Sequence, residues 1–169
     1  LQLAQRDYPA AQALAAEAAE VFAARQSATE LEAARLVQAT ARLRGGELID
    51  EQSLPPAGAA NALARVLLLV ESDLATGALD SAASRLGSLH ADALAPPQRL
   101  EVDRLRARWH DLRGEHAAAD ALRWSAATTL VATAQRSGSA VVRDLLLGRL
   151  DPIRRDAYAA LLLRRDSGA

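Results

Sequence analysis

Two histidines and two carboxylates flank Gly114, and these are residue types that bind zinc. His110 and Asp111 precede the glycine, and Glu115 and His116 follow it. A zinc site would need imidazole nitrogens and a carboxylate oxygen to converge across the turn. The two histidines do not have the i, i+4 spacing of a helical zinc site. We therefore interpret these residues as polar groups at an exposed helical corner, and we expect no bound metal or other cofactor.

Arginine is densest in residues 99–113, where it could bind the carboxylates of a partner. An arginine guanidinium can donate two parallel hydrogen bonds to one carboxylate, which lysine cannot do. The alternative is a solvated face whose charge is balanced by neighbouring acidic residues, and the sequence leaves both interpretations open. The arginines are Arg99, Arg104, Arg106, Arg108 and Arg113.

Several kinds of catalysis are excluded by composition. The chain has no cysteine, and all 20 of its basic residues are arginine, so thiol catalysis and lysine Schiff bases cannot occur. Neither a G-x-S-x-G nucleophile motif nor a G-x-G-x-x-G nucleotide motif is present. We expect a protein that is not an enzyme, with an enzyme of unrecognised site as an alternative.

The overall composition points to packed helices. Half of the 169 residues are hydrophobic, but only two Trp, two Tyr and one Phe occur, and Ala and Leu dominate. The formal net charge of −1 and the few aromatic residues argue against a nucleic-acid partner. No uninterrupted apolar run reaches 18 residues, so we expect no transmembrane segment in this chain.

Apolar residues recur at helical spacing through most of the chain and predict eight main helices in about four hairpins. In residues 47–60 the pattern weakens, and we expect an irregular connector after a short helical turn. Ser27 and Glu30 have the spacing of a capping box at the start of the second helix. The predicted helices are 7–25, 27–44, 61–75, 79–89, 97–113, 115–135, 141–147 and 151–165.

Glycines at the predicted turns recur with a period near 34 residues. They are Gly46, Gly77, Gly114 and Gly148, which are separated by 31, 37 and 34 residues. Small residues accompany the third of these glycines at seven positions before it and at five and twelve positions after it. These small residues are Ala107, Ala119 and Ala126.

On these residues the chain resembles the tetratricopeptide-repeat family. The match covers all the small positions around Gly114, one of them, Ala82, around Gly77, and Ala11 and Ala18 of a half-repeat at the N-terminus. The resemblance implies an all-α fold of antiparallel hairpins stacked as a superhelix; a plain antiparallel helix bundle is the alternative. We expect one domain over residues 1–169, and a fragment or processed form, because the chain begins at Leu1.

The resemblance also implies a concave face, lined by the first helix of each hairpin, that binds a protein or peptide. The candidate partner-binding residues are Leu67, Glu71, Glu101, Arg104 and Arg108. This set is both apolar and charged, so we expect a ligand with hydrophobic and acidic side chains. The oligomeric state and the compartment, bacterial cytoplasm or cell envelope, stay open.

Two further functions are compatible with the same sequence. One is a helical regulatory segment of a larger bacterial signalling protein, and the other is a cell-envelope lipoprotein with an assembly role. For the packing of the central hairpin, we expect an inward seam of Val102, Leu105, Trp109 and Leu112, and a contact between Trp109 and Trp124.

Overall fold

Six α-helices account for most of the described chain, and they pack as antiparallel pairs. The computed structural model describes residues 7–56, 58–90, 94–137, 139–140, 144, 147, 148, 150, 153, 154, 156 and 157. No strand occurs among these residues. The helices are α1 (Tyr8–Ala24), α2 (Ala28–Arg44), α3 (Ala62–Thr76), α4 (Leu79–Gly87), α5 (Pro96–Leu112) and α6 (His116–Arg136). The antiparallel pairs are α1·α2, α3·α4 and α5·α6.

The all-α prediction is confirmed, and the first six predicted helices agree with α1–α6 to within a few residues. The last two predicted helices, 141–147 and 151–165, fall largely outside the described residues. Where this segment is described, at residues 140, 144, 147, 148, 150, 153, 154, 156 and 157, the backbone is helical. None of the described helices is long and apolar enough to cross a membrane.

The chain divides into two units, Leu1–Arg85 and Leu86–Ala169. In the first unit, α1 begins where the Asp7 side chain accepts a hydrogen bond of 3.2 Å from the Ala10 backbone nitrogen. Ser27 occupies the N-cap of α2 as predicted, but its side chain makes no capping hydrogen bond, so the predicted capping box is wrong. Helix α2 ends at Arg44, and Gly46, two residues later, has a φ of +99°, a conformation that favours glycine.

The segment after Gly46, residues 47–60, is an irregular connector with one short 3-10 turn, Glu51–Ser53. Two of its apolar side chains, Ile49 and Leu54, are buried with Leu36 and Leu68 in the core of the first unit. The Ser72 hydroxyl donates to the Ile49 carbonyl at 3.2 Å. The connector therefore belongs to the core, although its sequence lacks helical periodicity.

Charged residues hold the 3-10 turn against the two helices that come after it in the chain. Glu51 lies 3.4 Å from Arg65 of α3 and 2.6 Å from Arg85 of α4, and Arg85 also contacts Asp73 at 3.0 Å. The hydrogen bond from Arg85 holds the pKa of Glu51 below its ordinary value. These contacts fix the position of the connector within the first unit.

In the second unit, α5 and α6 form a hairpin around Gly114 and pack through small residues. Val102, Leu105 and Ala119 are fully buried, and Ala107 and Ala126 are nearly so. The expected inward seam is wrong at Leu112, which is 45% exposed because α5 ends at this residue. The remaining described apolar residues of this core include Leu130 and Ile153.

Candidate functional site

The five candidate partner-binding residues lie on two helices in different units. Leu67 and Glu71 belong to α3, and Glu101, Arg104 and Arg108 belong to α5. Each group therefore has its own surroundings within its unit.

On α3, the carboxylate of Glu71 already has a partner. Arg44, the last residue of α2, donates to both oxygens of Glu71, each at 3.2 Å. Only 13% of the Glu71 side chain is exposed, and Leu67 beside it is half-buried. Glu71 thus joins α2 to α3, and this ion pair limits its freedom to contact another molecule.

On α5, Arg104 is also engaged within the chain. Its guanidinium donates to Glu101, with a shortest distance of 2.7 Å, and to Asp156 at 3.4 Å. The Arg104 side chain is only 15% exposed. Arg108, by contrast, is half-buried and forms no hydrogen bond or ion pair with another described residue. Of the three charged residues predicted on α5, Arg108 is therefore the one most available to a ligand.

A small charged cavity lies beside Arg104, between α5, α6 and Ile153. Its volume is about 10 Å³, which is room for one water molecule and too little for an organic substrate. Asp103 lines it, and burial raises the pKa of this carboxyl above its ordinary value, against the opposing effect of Arg106 and Arg99. On the same cavity, Arg123 is 8% exposed and is bound to Asp111 and Asp120.

The polar residues around Gly114 form two crossed pairs, each of one histidine and one carboxylate. His110 Nδ1 lies 2.6 Å from a Glu115 carboxylate oxygen, and His116 Nδ1 lies 3.3 Å from Asp111. Across the described part of the chain, no three His, Asp or Glu side chains are placed to hold a metal ion. The contact with His110 lowers the pKa of Glu115 below its ordinary value of 4.5.

The two tryptophans have different surroundings. Trp109 is half-buried, and the Arg113 guanidinium lies 4.6 Å from its ring centre, a cation–π contact. Trp124 is 73% exposed on α6, so the expectation that it packs against Trp109 inside the hairpin is wrong. Its neighbours Asp120, Ala121 and Thr128 on the same side of the helix are also exposed.

A larger depression, which the sequence analysis did not identify, lies in the first unit between α2 and the connector. We call it the α2 groove, and its volume is about 310 Å³. Its lining residues are Arg35, Gln38, Ala39 and Arg42 of α2 and Ser53, Leu54 and Pro55 of the connector.

The α2 groove could have been found in part from the sequence. Arg35, Gln38 and Arg42 are spaced at i, i+3 and i+7, which places them on one side of a helix. What the sequence could not supply is the opposite wall, because the connector has no periodicity from which its position could be predicted.

Neither protein-family models nor curated proteins nor solved structures match this chain. Its function must therefore be inferred from the geometry of the described residues.

Proposed function

We propose that this protein is a non-catalytic scaffold that binds a protein or peptide on a tetratricopeptide-like helical array. The observation that carries the proposal is the packing of the Gly114 hairpin. Ala107, Ala119 and Ala126 are 1%, 0% and 7% exposed, at the three positions where such a hairpin needs small side chains. Gly114 has the positive φ of +76° that its turn requires.

The ligand-binding residues in this proposal form one set in each unit: Leu67 and Glu71 on α3 of the first, and Glu101, Arg104 and Arg108 on α5 of the second. Arg108 makes the charge contact with the ligand, because Arg104 is held by Glu101 and Asp156. Glu101 and Arg104 act by fixing the shape and charge of this part of α5. In the second unit the ligand supplies an acidic side chain to Arg108; in the first unit Leu67 offers an apolar contact.

The test begins with selection of peptides from a displayed library on the immobilised protein, followed by measurement of the Kd of enriched peptides by fluorescence anisotropy. We expect enriched sequences to combine acidic and apolar residues and to bind more weakly as salt increases. Arg108→Ala should weaken binding about two- to fivefold, the range for one exposed ion pair.

Arg99→Ala is the matched control for Arg108→Ala. Arg99 is an exposed arginine on the same helix, nine positions before Arg108, which places it on roughly the opposite side of α5. Equal weakening by both substitutions, or enrichment of no acidic peptide, would contradict the proposed face. Arg104→Ala is not a clean test of binding, because loss of its ion pairs should also lower the melting temperature.

A further inference from the structure

We propose that the α2 groove is a second binding site, specific for an extended acidic peptide segment with two carboxylates three residues apart. The site lies in the first unit and includes none of the five candidate partner-binding residues on α3 and α5. It can therefore be tested independently of those residues.

Hydrogen-bond donors line the α2 side of the groove and have few partners within the chain. Arg35 is exposed, and no hydrogen bond or ion pair with a described residue is recorded for it or for Gln38. Arg42 binds Glu47 through its Nε at 2.7 Å, and no contact with a described residue is recorded for its two terminal nitrogens. One wall of the groove therefore presents two guanidinium groups and an amide to a ligand.

The charge of the groove lining is positive. None of the residues that line the α2 groove is acidic, and Glu47 at its edge occupies only one of the five N–H groups of Arg42. The lining is therefore cationic, although the formal net charge of the whole chain is −1. A ligand with complementary charge is an anion, and the planar guanidinium favours a carboxylate held by two parallel hydrogen bonds.

The apolar lining of the groove and its connector wall are held in place by the fold. Ala39 of α2 and Leu54 of the connector are 7% and 8% exposed and belong to the core of the first unit. The opposite wall is fixed because the Asp50 side chain accepts from the Gln52 backbone nitrogen at 3.0 Å, and the Ser53 hydroxyl donates to the Asp50 carbonyl at 2.6 Å. A preformed groove requires little ordering when a ligand binds.

The spacing of the two arginines along α2 discriminates between extended ligand conformations. Arg35 and Arg42 are seven residues apart on α2, which corresponds to about 10.5 Å along the helix axis. In a polyproline II segment, side chains three residues apart lie on the same side, separated by about 9.3 Å. In a β-strand, side chains on one side are separated by about 6.6 Å or 13 Å, which matches less well. Of these two extended conformations, a polyproline II segment with acidic residues at positions i and i+3 matches the arginine spacing more closely.

The probe for this proposal is a fluorescein-labelled peptide that contains Glu-Pro-Pro-Glu, titrated with the full chain and followed by anisotropy. Two control peptides contain Gln-Pro-Pro-Gln, which removes the charge, and Pro-Glu-Glu-Pro, which keeps the charge but makes the carboxylates adjacent. We expect the Glu-Pro-Pro-Glu peptide to bind more tightly than either control. Equal affinity for Pro-Glu-Glu-Pro would overturn the spacing requirement, and equal affinity for Gln-Pro-Pro-Gln would overturn the charge requirement.

Variants of the protein then locate the bound peptide. Arg35→Ala and Arg42→Ala should each weaken binding about two- to fivefold, and about tenfold together, without loss of helical circular dichroism. Arg25→Ala is the matched control, since Arg25 is an exposed arginine of the first unit outside the groove. Equal weakening by Arg25→Ala would show that the peptide responds only to overall charge, and the proposal would fail.

Two further measurements separate this site from other anion sites. Arg108→Ala should leave the affinity for the Glu-Pro-Pro-Glu peptide unchanged; if it abolishes binding while Arg35→Ala does not, the peptide binds α5 and the groove proposal is wrong. Inorganic phosphate should compete no better than chloride at equal ionic strength. Displacement of the peptide by phosphate at low concentration would identify a general phosphate site instead of a peptide site.

Discussion

The hairpins α1·α2 and α5·α6 reverse the chain through the same backbone hydrogen bonds but with different residues. After α1, Ser27 donates to the Phe22 carbonyl at 3.0 Å and Gln26 to the Ala23 carbonyl at 3.1 Å. After α5, Glu115 donates to His110 and Gly114 to Asp111, both at 2.9 Å. Both turns are Schellman motifs, in which the residue after the C-cap is left-handed.

The difference lies in the residue that adopts the left-handed conformation and in the side chains around it. Gly114 has φ +76°, whereas the equivalent position after α1 is Gln26, with φ +56°. The α5·α6 turn also has the crossed pairs His110–Glu115 and His116–Asp111. No side-chain hydrogen bond is recorded for residues 25–27 within the described chain. The same turn can therefore be made with a non-glycine left-handed residue, at a cost in stability.

The largest expected effect tests the close packing of the α5·α6 hairpin. Ala119 is fully buried in the α5·α6 hairpin, so Ala119→Leu should overpack it and lower the free energy of unfolding by roughly 1–3 kcal/mol. Ala121→Leu adds the same atoms to an exposed position of α6 and should change the free energy of unfolding by less than about 0.5 kcal/mol. Urea denaturation measures both; similar values would contradict the close packing of α5 and α6.

The next effect tests the left-handed glycine. Gly114→Ala should destabilise the protein by about 1–2 kcal/mol, because an alanine Cβ disfavours this backbone conformation. No atom lies within 4 Å of the added methyl group, so the cost comes from the backbone and not from a clash. Gly87→Ala, at a helical position that is equally open, is the control and should be neutral or stabilising. In thermal melts, the melting temperature should fall in Gly114→Ala and should stay the same or rise in Gly87→Ala.

The converse substitution in the first hairpin should stabilise the protein. Gln26→Gly removes the strain of a non-glycine residue at φ +56° but increases the entropy of the unfolded chain. The balance is a gain of about 0.5–1 kcal/mol in the free energy of unfolding. Chemical denaturation of this variant beside Gly114→Ala compares the two turns directly, and a loss of stability in Gln26→Gly would mean that the Gln26 side chain contributes to the turn.

The smallest effect concerns the crossed pairs, which only the α5·α6 turn has. Since His110 lowers the pKa of Glu115 below 4.5, the stabilisation by ionised Glu115 is present above pH 4.5 and is lost as the pH falls through the lowered pKa. Glu115→Gln should therefore melt at a lower temperature than the wild type near neutral pH, and the difference should disappear in acid. Melting curves between about pH 6 and about pH 3 measure this difference. A difference that persists unchanged in acid would exclude the ionised pair as its cause.

The sequence by itself determined the all-α class, the approximate bounds of α1–α6 and the small residues buried at the Gly114 turn. These features depend on local patterns, namely 3.6-residue periodicity, glycine after a helix and proline in the first turn. The weakened periodicity of residues 47–60 also indicated the irregular connector. The turn at Gln26 was located from the helix-start signals at Ser27 and Glu30, but no glycine marks its left-handed residue.

Only the tertiary structure decided which charged residues are available to a ligand. Arg104 and Arg108 look equivalent in the sequence, but Arg104 contacts Asp156, which is 52 residues away, and Glu71 contacts Arg44, which is 27 residues away. The same holds for the α2 groove, whose second wall is placed by burial of Ile49 and Leu54. Periodicity reports which side of a helix is apolar, whereas ion pairs and grooves depend on contacts between segments that are distant in the chain. Such contacts leave no local pattern, so they become visible only in the folded protein.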